Sequence, residues 1–334
     1  MTALTATVAH GMPPEPAPET AAPAHPRLHA LVGRARVTAG GSPKGLAIVH
    51  PCDALALQAA HDIAKAGIAR PVLVGPADEI RQAADQAAID ISAFELVDAG
   101  PDAPAAAQHA VKLARSGGVS ALMKGSLHTD ELMSAVVARD TGLRGQRRIS
   151  HAFVFDLPRY HKLLALADCV VNIAPDLKTK RDILSNALEL LQALEVARPK
   201  VGIVAAVESV NPSIPATLDA QALVAEHQGG TWPQALIEGP FGFDNAISAE
   251  AARIKKMSTA VAGDPDLLLL PDLNAGNILY KSFVYIGGGE CAGLVLGARV
   301  PVVLTSRADS PLARLASAAL AVLATARPGP EGAA

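Results

Sequence analysis

The chain has 334 residues, half of them hydrophobic but only 3% aromatic, and a net charge of −3 at pH 7. That length accommodates a large core and predicts two domains, while the near-neutral charge excludes a general pull toward nucleic acid or acidic membranes. An interior of Ala, Val, Leu and Ile suits helices packed closely on parallel sheets, whose strands read as unbroken apolar runs.

Residues 1–26 are rich in Ala and Pro, contain no Lys or Arg, and predict a disordered tail. They lack the basic start and apolar centre of a signal peptide, and no later run approaches the roughly 20 apolar residues of a membrane helix. Cys52, Cys169 and Cys291 are odd in number, far apart and without CxxC spacing. That predicts neither a disulfide framework nor a structural zinc site, no bound metal, and a reducing, cytoplasmic setting.

From residue 27 the pattern alternates. Apolar strands are predicted at 46–49, 71–74, 119–123, 151–155, 168–173, 201–207, 235–237, 267–270, 293–296 and 301–304, with helices between them such as 182–194 and 250–261. So many alternations predict an α/β fold with largely parallel sheets. Ligands in such folds bind in the loops after the carboxyl ends of strands, and those loops hold the informative residues.

After the strand at 119–123 come Lys124, Gly125, Ser126 and His128, followed by Thr129 or Asp130 as a helix cap. This is either a ligand loop, with Gly125 letting backbone approach closely, or a capped helix start with solvated Lys and His. Arg144, Arg147 and Arg148 form either a solvated loop or a phosphate clamp. His151 opens a strand, where a hydrogen-bonded structural histidine is the commoner outcome, and Asp244 or Asn245 reads most simply as a cap. After the four leucines 267–270, Asn274, Gly276 and Asn277 open a helix. Its first N–H groups make an anion site or belong to an ordinary capped turn. Ser306, Arg307 and Asp309 repeat the design after 301–304. Residues 40–45 (GGSPKG) lack the Walker lysine, 287–289 do not extend to GxGxxG, and neither HExxH, GxSxG nor a metal-ligand cluster is found.

Taken together, 124–130 (KGSLHTD), 142–144 (GLR), 148–156 (RISHAFVFD), 172–182 (NIAPDLKTKRD), 207–212 (VESVNP), 239–246 (GPFGFDNA), 271–281 (PDLNAGNILYK) and 304–310 (LTSRADS) resemble the phosphate acetyltransferase/phosphate butyryltransferase family. The likeness runs from about 27 to 323 and extends to the transferase half of bifunctional enoyl-CoA hydratase/phosphate acetyltransferase proteins. It implies two open, doubly wound α/β domains with an interdomain cleft, as in isocitrate and isopropylmalate dehydrogenases. Residues 27–148 plus 298–327 would form the first domain and 149–297 the second. It further implies a homodimer acting only on small molecules, acyl-CoA and phosphate, with coenzyme A as substrate and no resident cofactor.

By the same resemblance Arg307 binds phosphate, Ser306 donates to the developing oxyanion, and Asp309 is the candidate base for the CoA thiol. Asn274, Gly276, Asn277, Lys124, Gly125, Ser126 and His128 are expected on the phosphoryl group, and Arg144, Arg147 and Arg148 on coenzyme A. The acetyltransferase pattern has its base six positions after the arginine, where this chain has Ala313; the run 306–310 follows the butyryltransferase pattern instead. A capping role for Asp309 stands beside the catalytic one. Two other readings share the fold: an NAD-dependent dehydrogenase, which needs a cluster of metal-binding Asp residues, and an acyl-CoA-binding protein that has lost its base at 313.

Overall fold

The computed structural model describes residues 24–326, so the expected tail lies outside the described residues except for its last three positions. Pro26 already opens helix α1 (Pro26–Ala39), where its fixed φ suits the first turn. The strands are β1 (Gly45–Val49), β2 (Arg70–Gly75), β3 (Glu95–Asp98), β4 (Ala121–Lys124), β5 (Ser150–Asp156), β6 (Leu164–Ala167), β7 (Lys200–Val204), β8 (Leu236–Phe241), β9 (Leu267–Leu269), β10 (Glu290–Leu296) and β11 (Val302–Val303). The remaining helices are α2 (Ala54–Ala66), α3 (Ala77–Ala87), α4 (Ala103–Arg115), α5 (Thr129–Val136), α6 (Leu177–Ala193), α7 (Pro215–Gln228), α8 (Phe243–Ile247), α9 (Ala249–Ile254), α10 (Leu273–Tyr285) and α11 (Pro311–Ala326).

The strands join in one eleven-stranded, mostly parallel sheet of order β3-β2-β1-β4-β11-β10-β5-β6-β9-β7-β8. Its first five strands are parallel, as are its last four. Between the two blocks β10 runs antiparallel to β11 and β5, and β5 antiparallel to β6.

Alternation along the strands assigns the core. Leu46 and Ile48 of β1 face a cluster with Leu28 and Leu31 of α1, Leu57 of α2 and Leu320 of α11. Ala47 and Val49 face the other side, against Ala106 and Ala110 of α4 and Leu132 of α5. In the second block Leu267 and Leu269 join the first cluster, while Leu268 packs with Phe155, Leu166 and Phe241. Four helices begin at an aspartate whose carboxylate accepts an otherwise unpaired N–H: Asp53 from Ala56 (2.8 Å), Asp102 from Ala105 (2.8 Å), Asp176 from Thr179 (2.7 Å) and Asp272 from Ala275 (2.9 Å).

The structure departs from the sequence reading at definite points. The strand expected at 168–173 is a loop, and β6 lies just before it. The Asp168 carboxylate accepts from the N–H groups of Val170 (2.9 Å), Val171 (3.0 Å) and Asn172 (3.3 Å), consuming the donors a strand ladder needs. Strand β3 is not among the predicted strands, being an edge strand with no fully buried residue. The helix expected at 250–261 ends with α9 at Ile254, and Lys256 then turns to the left-handed φ of 55°. Helix α6 starts five residues earlier than expected, at the turn capped by Asp176.

Candidate active site

Three adjacent parallel strands, β1, β4 and β11, stop at one edge of the sheet, and their loops are stitched together there. Gly125 N–H donates to Val49 O and Ser126 N–H to His50 O, both at 2.9 Å. The Ser126 hydroxyl donates to His50 O (2.6 Å) and accepts from Cys52 N–H (3.0 Å). On the other side Thr305 Oγ1 donates to Lys124 O at 2.9 Å. The β4 loop approaches β1 so closely that a Cβ on Gly125 would sit 2.4 Å from Val49 O and 2.7 Å from His50 O. Only glycine fits.

These loops border a cavity of about 460 Å³. It gathers Lys124, Gly125, Ser126 and His128 from the β4 loop, Ser306, Arg307 and Asp309 from the β11 loop, and Asn277 from α10. Its apolar wall includes Phe153, Val170, Tyr280 and Leu304. The Phe153 and Tyr280 rings stack at 4.3 Å with 16° between their planes.

Its electrostatics are those of a crowded cationic site. Burial holds the Lys124 ammonium below its usual pKa, and the Arg307 guanidinium adds to the effect; Asp53 and Asp309 oppose it. Burial raises the Asp309 carboxyl above the usual carboxylate range, partly offset by the Ser306 N–H, which donates to its Oδ2 at 2.7 Å. Arg307 is exposed, and the arginine ion pairs of the described residues all lie elsewhere. Lys124 Nζ donates to the carbonyls of Gly125 (3.3 Å) and Leu127 (3.1 Å) but, like Arg307, has no carboxylate ion pair among the described residues. An entering anion would thus meet cations whose charge is not paired.

Several expected roles are redistributed. Asn274 and Gly276 do not line the cavity. Asp272, not an asparagine, caps α10, and Gly276 is buried where that helix crosses a backbone: a Cβ there would lie 2.4 Å from Asp168 O. His128 itself is the N-cap of α5, with Glu131 accepting its N–H at 2.7 Å, so neither Thr129 nor Asp130 has that place. Asp244 and Asn245 lie within α8, whose cap position is Gly242. Asp309 does not cap α11; Ser310 Oγ does, accepting from Ala313 N–H at 3.0 Å. Ala313 is buried inside that helix. His151 is buried with Nδ1 unpartnered among the described residues, and burial lowers its pKa to about 4.

The arginines expected on coenzyme A also lie away from this cavity. Arg144 Nε bonds to Val137 O, Arg147 pairs with Glu189, and Arg148 N–H donates to Asp182 at 3.0 Å. Arg147 instead borders a larger cavity, about 1180 Å³, beside the amino ends of β1, β2 and β4. In that larger space Arg70 and Arg147 are paired with Glu95 and Glu189.

The sequence reading missed Arg314. It is the only charge in α11, which is the signal that could have marked it. It is buried, lines the cavity, and donates from Nη2 to the carbonyls of Ser306 (3.0 Å) and Arg307 (3.4 Å). One metal-capable group also forms among the described residues, His50, Cys52 and Glu79, beside Ser126; His50 and Cys52 are two residues apart, but Glu79 joins them from a separate helix, so the sequence shows only a two-residue pair and no full ligand spacing.

Comparison with known proteins gives a consistent result. Residues 103–322 match the family model described as phosphate acetyl/butaryl transferase. The chain is 48% identical over 306 residues to a phosphate acetyltransferase of Rhizobium meliloti, covering 91% of this chain and 96% of that one. It is 38% identical over 280 residues to a phosphate butyryltransferase of Clostridium acetobutylicum, covering 84% and 93%. A branched-chain phosphotransacylase from Enterococcus faecalis V583 superposes with a TM-score of 0.74 at 29% identity, covering 84% of this chain and 99% of that one.

Proposed function

The chain belongs to the phosphate acetyl/butaryl transferase family, and we propose that the cavity at the ends of β1, β4 and β11 is where it works. The protein is a phosphate acyltransferase: acyl-CoA + phosphate ⇌ acyl phosphate + CoA. One observation carries the siting. Arg307, Lys124 and Asp309, from two loops far apart in sequence, meet in a single cavity with an apolar wall.

In the direction of acyl-CoA synthesis, Arg307 and Lys124 hold the phosphoryl oxygens, Arg307 as a two-pronged donor and Lys124 as a point charge. Asp309 takes the proton of the CoA thiol. One of its oxygens is fixed by Ser306 N–H, leaving the other for the proton. Its raised pKa makes it a stronger acceptor than an ordinary aspartate. The sulfur adds to the acyl carbonyl, and the carbonyl oxygen gains charge beside the Ser306 hydroxyl; such a donor is worth roughly 3–4 kcal/mol. The C–O bond to phosphate then breaks, and phosphate leaves onto the two cations. Arg314 holds the Ser306 and Arg307 carbonyls and so sets the loop that carries both donors.

The acyl chain lies against Phe153, Val170, Tyr280 and Leu304 in this reading. A buried methylene is worth about 0.8 kcal/mol, or about fourfold in kcat/KM. Relatives carry both acetyl- and butyryltransferase names, and the 306–310 run follows the butyryl pattern, so chain length is set by this wall. Asn277 contributes at the phosphoryl end, and coenzyme A enters as substrate with no resident cofactor.

In this reading the chain divides into the two doubly wound domains expected, 27–148 plus 298–327 carrying β1 to β4 and β11, and 149–297 carrying β5 to β10, with the cavity as the cleft between them. Two copies pair through the apolar face of α10 and the residue that follows it, where Ile278, Tyr285 and Ile286 are exposed. The three cysteines are free, which suits the cytoplasm, and no helix among the described residues is long and apolar enough to cross a membrane. Phosphate-dependent CoA release from C2 to C6 thioesters tests the reading. Turnover with short chains is expected, and Phe153→Ala should move the preference toward longer ones. No turnover with any thioester would remove it.

A further inference from the structure

The His50, Cys52 and Glu79 group lies outside the proposed chemistry, yet its geometry is that of a ligand set. His50 Nε2 and Cys52 Sγ are 3.9 Å apart, and the ligating atoms of all three residues lie within 4.8 Å of one another. A tetrahedral zinc with Zn–S of about 2.3 Å and Zn–N of about 2.0–2.1 Å separates sulfur and nitrogen by about 3.6 Å. A few tenths of an ångström therefore suffices to close the pair on a cation.

The hydrogen bonds around His50 settle which nitrogen is bare. Ser126 has one hydroxyl hydrogen, and it goes to His50 O at 2.6 Å. Ser126 Oγ in turn accepts from Cys52 N–H at 3.0 Å and faces His50 Nδ1 at 3.3 Å. Nδ1 must therefore carry the ring hydrogen and donate, which leaves the lone pair on Nε2 toward Cys52 Sγ. Metal-bound histidines are held in this way, with the second nitrogen donating to a neighbouring oxygen. The backbone is also set: His50 N–H donates to Val74 O at 2.7 Å, and its left-handed φ of 54° fixes the turn that brings Cys52 under the ring. Glu79 reaches in from the first turn of α3, and with Asp53 it surrounds the thiol with negative charge.

We propose that His50, Cys52 and Glu79 bind one borderline-soft divalent cation, of the zinc or cobalt type, with a fourth position left to solvent. Binding forms a metal–sulfur bond and releases the Cys52 proton to water. The site abuts the acyl-transfer cavity through Ser126, whose hydroxyl its histidine holds.

The test uses the full-length protein, stripped with a chelator and titrated with cobalt(II), then with zinc(II) in competition. The expected result is one-to-one saturation with a near-ultraviolet thiolate-to-cobalt band that zinc abolishes. Cys52→Ser removes the band, Glu79→Gln weakens affinity by about tenfold or more, and Cys291→Ser, which alters a buried thiol elsewhere, keeps both. Glu79 is exposed, so its variant reports on the site even if Cys52→Ser misfolds. No band at stoichiometric cobalt, a band that survives in Cys52→Ser, or unchanged affinity in Glu79→Gln would each overturn the proposal. None of these readouts requires acyl transfer, so the proposal can fail while the activity stands.

Discussion

Arg314→Met separates positioning from binding in this site. Arg314 is 8% exposed, and its Nη2 donates to Ser306 O at 3.0 Å and Arg307 O at 3.4 Å. Bonds to a charged group are worth about 1.5–3 kcal/mol, and the second is long enough to count for little. Methionine keeps much of the stem volume, and water can reach exposed Ser306, so the net loss is about 2 kcal/mol. In a chain of this size that lowers Tm by about 3 °C. The catalytic effect is larger, because the loop carrying Ser306, Arg307 and Asp309 is released. A displacement of 1 Å costs about 10²-fold. Initial rates of CoA release across a phosphate series should therefore show a lower kcat as well as a higher KM for phosphate. A folded variant with the Tm loss but wild-type kcat would refute the positioning role.

Two further substitutions probe the same loops. Asp309→Asn should lose about 10²–10⁴ in rate near neutral pH, while wild type loses activity on acidification at a pH above the usual carboxylate range. The folded pKa of Asp309 is raised, so its contribution to stability is present below the unfolded pKa and lost as pH rises through the folded one. At pH 7 the charged carboxylate thus costs stability, and Asp309→Asn, which can still accept from Ser306 N–H, should melt no lower than wild type; near-normal rates would leave Asp309 as only a brace for the loop. Gly125→Ala places a Cβ 2.4 Å from Val49 O, and backbone cannot swing aside. It should cost about 1–3 kcal/mol and depress activity, whereas Gly33→Ala in α1, which meets nothing within 4 Å, should stabilise by about 0.5–1 kcal/mol in thermal melts.

The alternating α/β pattern was legible because buried parallel strands such as β1 and β2 are unbroken apolar runs, and their period needs no knowledge of partners. Strand β3 has no such run, since a sheet edge demands little burial. The loop at 168–173 looked like a strand because periodicity cannot register a carboxylate folding back on its own backbone. At the site, Lys124, Ser306 and Arg307 stood out as polar residues placed just after apolar strands. Asn274 and Gly276 stood out for the same reason, but one is exposed away from the cavity and the other serves helix packing against Asp168. Arg314, and the meeting of His50 with Glu79, depend on contacts between distant segments that no local spacing encodes.

In the proposed site the Arg307 guanidinium and Lys124 hold one phosphoryl group in the cavity between the β4 and β11 loops. Phosphate saturation of Arg307→Ala and Arg307→Lys measures this most directly. The expected result is that kcat/KM for phosphate falls by roughly 10²–10³ in Arg307→Ala and recovers only partly in Arg307→Lys, which restores charge without the planar fork. Unaltered phosphate saturation in both variants would contradict it.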